Sequence, residues 1–107
     1  MIRILSENER KLISCLLKGT KIEIPNNYFE NMFIEEFLDG GMWTLYFLNS
    51  KKSVDERKML KRISEKQFHD KDGTPILVSL NIDEDNILLE LDIWKVDFAP
   101  ILKYPEC

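Results

Sequence analysis

Ile76-Leu77-Val78-Ser79-Leu80-Asn81-Ile82, the turn Asp83-Glu84-Asp85-Asn86, and the run from Ile87 through Glu90, Asp92 and Trp94 form the stretch that decides the fold. Ile76, Val78, Leu80 and Ile82 recur at every second position, as a strand with one buried face requires. Beyond the turn, Ile87, Leu89, Leu91 and Ile93 alternate against Leu88, Glu90, Asp92 and Trp94. Two alternating runs across a short polar turn predict an antiparallel hairpin. Pro100 and Pro105 then end regular structure.

Working upstream, Asp70-Lys71-Asp72-Gly73 reads as another turn. Residues 53 to 69 admit two readings, because Ser53 and Glu56 form a capping box while Met59 to Phe68 could extend. A short helical turn or loop to about residue 60, then a strand from about 61 to 69, is expected. Strands at about 32 to 38 and 42 to 48 flank Asp39-Gly40-Gly41, whose glycines can supply the positive φ of a tight hairpin. In the second of these, Trp43, Leu45 and Phe47 face one way and Met42, Thr44 and Tyr46 the other.

Ser6 and Glu9 make a capping box, Leu12, Ile13, Leu16 and Leu17 repeat at helical spacing, and Gly19 supplies a stop. These signals predict a helix over 7 to 18, followed by a connector over 20 to 31 containing Pro25, Asn26 and Asn27. Helical and extended segments are segregated rather than alternating. The expected class is therefore α+β: an antiparallel meander of four or five strands with the N-terminal helix packed on one face.

The chain has 107 residues, 44% apolar and 32% charged, which suits a single globular domain over 1 to 107. Its apolar runs are too short for a membrane-spanning helix. Met1 to Glu7 lacks the apolar core and cleavage site of a secretory signal, so a cytoplasmic location is expected. Cys15 and Cys107 are accordingly expected to be free thiols.

Charge is unevenly distributed. Residues 1 to 50 carry -2, residues 51 to 71 carry +4, and residues 72 to 107 carry -6, within a net charge of -4. In the acidic third, Asp83, Glu84 and Asp85 share a turn, Glu90 and Asp92 share a strand face with Trp94, and Asp97 follows. Carboxylates beside an aromatic side chain can steer and then anchor a basic partner. The plainer alternative is a solvated turn and strand face, with Trp94 in the core.

The basic stretch from Lys51 to Lys66 invites a phosphate or nucleic-acid reading. Interspersed Asp55, Glu56 and Glu65, and the lack of stacking aromatics among the lysines, weigh against nucleic acid. His69 is the single histidine and has no nucleophile motif around it, so no catalytic residue is assigned and an enzyme is not expected. One histidine and two distant cysteines do not make a zinc site, and no nucleotide-binding glycine loop occurs. No cofactor or metal is expected. An exposed strand edge leaves a homodimer open.

Three segments carry a resemblance: Asp39-Gly40-Gly41-Met42, Asp70-Lys71-Asp72-Gly73, and Glu90-Leu91-Asp92-Ile93-Trp94-Lys95-Val96-Asp97-Phe98 followed by Pro100. Together they resemble an uncharacterised family of small bacterial proteins, which transfers no catalytic residue. In size and acidity the chain is also similar to immunity proteins that neutralise toxins exchanged between bacteria, including contact-dependent growth-inhibition systems. That similarity implies a cognate protein toxin, a nuclease being the expected kind, whose basic active-site cleft the acidic face would occlude.

Overall fold

The computed structural model describes residues 1 to 22, 24 and 28 to 107. The expectation resting on Pro25, Asn26 and Asn27 lies outside the described residues. The described chain runs β1 (Ile2–Ile4), α1 (Glu7–Leu17), β2 (Phe33–Asp39), β3 (Met42–Phe47), a 3₁₀ turn (Val54–Glu56), β4 (Met59–His69), β5 (Pro75–Asp83) and β6 (Leu88–Lys95).

Helix α1 starts where its capping signals place it. Ser6 Oγ accepts the Glu9 amide at 3.2 Å and the Glu9 carboxylate accepts the Ser6 amide at 2.8 Å, satisfying two otherwise unpaired donors. Leu12, Ile13 and Leu16 are buried on the face it turns to the sheet. Glu9 also holds β1 in place. Arg3 forks onto it at 2.7 and 2.6 Å and reaches Glu36 at 2.8 Å, while Trp43 Nε1 donates to Glu36 at 2.7 Å.

The six strands form one antiparallel sheet in the order β1-β2-β3-β6-β5-β4. The class is α+β as expected, but the strand count is six and the single meander is corrected. Two meanders, β1-β2-β3 and β4-β5-β6, meet through β3 and β6. The reason is the connection from Leu48 to Lys58, too long for a hairpin, which carries the chain to the far edge. Ile34, Leu45, Phe47, Ile76, Val78, Leu80, Leu91 and Ile93 have no exposed surface and form the core face. In β6 the register shifts, so that Ile82 pairs with Leu88 and Leu88, not Leu89, enters the core cluster.

The outer strands carry the devices that discourage pairing with another chain. On one side β1 has three residues. On the other, β4 carries exposed Lys61 and Lys66 and two register irregularities, between Met59 and Lys61 and between Arg62 and Ser64.

The segments that carry the resemblance converge at one end of the sheet. Lys95 is 1% exposed, and its Nζ lies 3.0 Å from Asp70, 2.8 Å from Asp72 and 3.3 Å from the Pro100 carbonyl. Asp70 in turn accepts the backbone amides of Leu102 and Lys103 at 2.8 and 2.9 Å. Gly41 donates its amide to Phe98 at 3.0 Å and accepts from the Lys95 amide at 2.8 Å. A Cβ on Gly41 would lie 2.7 Å from the Ala99 carbonyl, so only glycine admits this crossing. Positive φ belongs to Gly40, at 59°, rather than to both glycines of the hairpin.

From there residues 99 to 107 return over the helix side, where Ile101 and Tyr104 pack on the core and Tyr104 meets the Trp43 ring edge-on at 5.1 Å. Cys107 is joined to Cys15 of α1 by a disulfide, with Cα atoms 6.3 Å apart. The expectation of free thiols is corrected by this pairing: the returning tail brings together two cysteines 92 positions apart. Among the described residues no helix is long and apolar enough to cross a membrane.

Candidate functional site

Alternation that buries one face of the sheet leaves the other to its polar positions. On this second face Glu90 and Asp92 of β6 lie between two strands. β3 sets Tyr46 opposite Glu90 and Thr44 opposite Asp92, while β5 sets Asn81 opposite Glu90 and Ser79 opposite Asp92. Thr44 Oγ1 donates to Asp92 at 2.8 Å, and Asn81 Nδ2 donates to Glu90 at 2.9 Å and to Asp92 at 3.2 Å.

These donors are all neutral. Among the described residues neither carboxylate forms an ion pair. Burial, followed by the neighbouring charge of Asp92, pushes the Glu90 carboxyl above its ordinary range. Burial and the charges of Glu90 and Asp92 likewise push the Tyr46 hydroxyl up. Asn81 is 1% exposed, and its carbonyl oxygen has no hydrogen-bond donor among the described residues.

Trp94 continues this face, half-buried, in register with Met42 and Leu77. It belongs to the second face rather than the core. Its ring packs on Phe98 at 5.7 Å between centroids, and its Nε1 has no partner among the described residues. Phe98 is 60% exposed and has a φ of 61°, uncommon for a bulky residue. Adjacent on the same face is a groove of about 490 Å³ lined by Glu35, Phe37, Thr44, Tyr46 and the segment 53 to 55. Thr44 joins the groove to Asp92, and no basic side chain among the described residues lines it. A groove of about 550 Å³ runs along α1 beside the disulfide and mixes Arg10, Lys11 and Lys18 with Glu7 and Glu30.

The acidic residues marked in the sequence are only partly brought together. Glu90, Asp92 and Trp94 share the second face. Asp83 must be withdrawn from a docking role. It is 1% exposed, pairs with Arg57 at 2.8 Å, and accepts the Asp85 and Ile87 amides at 2.9 and 3.1 Å. Arg57 also donates to the carbonyls of Phe47 and Leu88, so this pair plugs one end of the sheet. Burial alone would raise the Asp83 carboxyl, but Arg57 and the two amides hold it below the ordinary range.

Glu84 and Asp85 are exposed in the turn before β6, Asp85 lying 3.1 Å from Lys52. Asp97 stands in the turn after β6 and accepts the Ala99 amide at 2.9 Å. The eight residues of β6 separate these turns by roughly 26 Å at about 3.3 Å per residue. A single patch from Asp83 to Asp97 therefore does not form.

Sequence reading missed Tyr46, Thr44 and Asn81 as members of the site. Their alternation away from the core was visible, but strand order was needed to place them beside β6. The basic segment 51 to 66 is likewise divided: Arg57 is internal, Lys52 and Arg62 are paired with Asp85 and Glu65, and Lys66 lies 3.3 Å from Cys15 Sγ. His69 is exposed at the end of β4, opposite Pro75. Among the described residues no group of three or more His, Cys, Asp or Glu side chains is placed to hold a metal ion.

No curated protein and no solved structure matches the chain. A family model described as "Domain of unknown function (DUF6984)" matches residues 2 to 105, nearly the whole length, and the chain belongs to that family.

Proposed function

We propose that this protein is an immunity protein that binds a cognate bacterial toxin through the second face of its sheet. One observation carries the reading: Glu90 and Asp92 are half-buried side by side, held by neutral donors and, among the described residues, paired with no cation. Placing two carboxylates this way is unfavourable in the free protein, and a positive group from a partner would relieve it. Trp94, with an unpartnered indole nitrogen, and exposed Phe98 supply the apolar anchors such contacts need.

The expected toxin is a nuclease, whose phosphate-binding cleft is basic. The acidic face occludes that cleft, fast association follows from charge steering, and no catalysis by this chain is required. The cytoplasm of the producing cell is the proposed place of action, with the Cys15–Cys107 bond as the one feature that favours a more oxidising compartment. The rival reading, phosphate or nucleic-acid chemistry on residues 51 to 66, has less support because that segment does not form one basic surface.

The gene immediately upstream is expected to encode the toxin, and its product to co-purify with this chain. Reversing both charges, Glu90→Lys with Asp92→Lys, should then weaken binding by about 2 to 4 kcal/mol. Calorimetry showing unchanged affinity would remove this face from the interface. A neighbouring product that neither binds nor poisons cells would remove the immunity reading itself.

A further inference from the structure

We infer that the fork formed by Glu90 and Asp92 is a receptor for one guanidinium group, so that the partner anchors there through an arginine side chain. The inference rests on the proposed binding face, but it concerns the ligand chemistry of the site and can be tested without a toxin. Its starting point is Asn81. The amide nitrogen of this buried residue bridges both carboxylates, at 2.9 and 3.2 Å, while its carbonyl oxygen, itself shielded from solvent, has no donor among the described residues. The Thr44 hydroxyl is already committed to Asp92. The site thus holds two half-buried carboxylates bridged by one neutral amide, with no positive donor among the described residues.

Guanidinium answers that imbalance more completely than ammonium. It is planar, always charged, and presents five N–H donors in a fixed fork with no acceptor of its own. Two carboxylates on alternate positions of one strand offer oxygens to both arms of the fork. Tyr46, opposite Glu90, and Trp94, two residues beyond Asp92, bracket the pair with aromatic surface on which a planar cation can stack. Arg62, in register with Asn81 on β4, lies instead against exposed Glu65 at 2.7 Å.

The test uses the whole chain and two probes, N-acetylarginine amide and N-acetyllysine amide, titrated while the Asn81 side-chain amide and the Trp94 indole N–H are followed by NMR. The arginine probe should shift both signals saturably, with the lysine probe at least about fivefold weaker. The effect should vanish in Glu90→Gln with Asp92→Asn, a change that removes charge while keeping shape; Asp92→Asn alone provides a folded comparison if the double variant is unstable. Equal response to the two probes, or shifts that persist in these variants, would overturn the inference. These outcomes are separable from the fate of the toxin reading. Equal probe binding combined with toxin binding lost on charge reversal defeats the guanidinium alone. Selective arginine binding combined with an insensitive toxin interface defeats the toxin face alone.

Discussion

Glu90 and Asp83 look alike in the sequence, each a carboxylate within a polar cluster near the β5–β6 turn. Their surroundings differ because Arg57, separated from Asp83 by 26 positions, reaches one and not the other. Burial of charge depends on partners that periodicity cannot reveal, which is why Asp83 was misplaced while Glu90 and Asp92 were placed on one face correctly. The difference predicts opposite mutational effects. Glu90 holds its proton more tightly in the folded state, so it withdraws stability as pH rises from its ordinary value of 4.5 toward its folded value. Glu90→Gln should therefore stabilise the protein at pH 7 by about 0.5 kcal/mol, after allowance for solvent screening. The gain should disappear below about pH 4, where both forms are neutral. Urea unfolding midpoints at the two pH values measure it, and a destabilised variant at pH 7 would contradict the account. Arg57→Met, by contrast, leaves the Asp83 carboxylate buried without its cation and should destabilise by about 3 kcal/mol or more in the same assay.

Elements were legible where their determinants are local. Ser6, Glu9 and Gly19 delimit α1 within a few residues of its ends, and alternation marks β5 and β6. By comparison β1 has three residues, too few for a period, and is held by Arg3 contacts to Glu9 and Glu36 that no local pattern shows. The tail is a similar case. Residues 100 to 103 lack regular structure, yet Asp70 fastens two of their amides while Lys95 neutralises it. Burial pushes the Asp70 carboxyl up, but the Leu102 amide, Lys95 and the other donors outweigh it and hold the group well below the carboxylate range. The fastening is therefore complete above the ordinary Asp value of 3.8 and is lost as pH falls through the depressed folded value. In Asp70→Asn the Leu102 and Lys103 amides should exchange with solvent markedly faster at pH 7, while core amides of β5 keep their protection. Unchanged exchange at Leu102 would show that the tail is held elsewhere.

For the whole molecule, the sequence supports an α+β class but not the strand order, because hairpin signals specify neighbours only across short turns. The cysteine pair was hidden for a related reason: the fold alone brings positions 15 and 107 together. That bond closes a loop spanning most of the chain. Its removal should lower stability by about 2 to 4 kcal/mol, chiefly by freeing the unfolded chain. Thermal unfolding with and without reductant measures this, and Cys15→Ser should melt alike in both conditions. A reductant-independent midpoint in the unmodified protein would show that the bond adds nothing to stability.

The strand order also has a consequence for how the chain is born. Translation releases β6 after the other five strands, yet β6 is the piece that stitches β3 to β5. Until it emerges, the nascent polypeptide holds two half-sheets whose inner borders, around Leu45 and Leu80, have no mate. A ribosome that stalls before Leu88 would leave both borders available to strangers, making this interval the one in which a chaperone matters most.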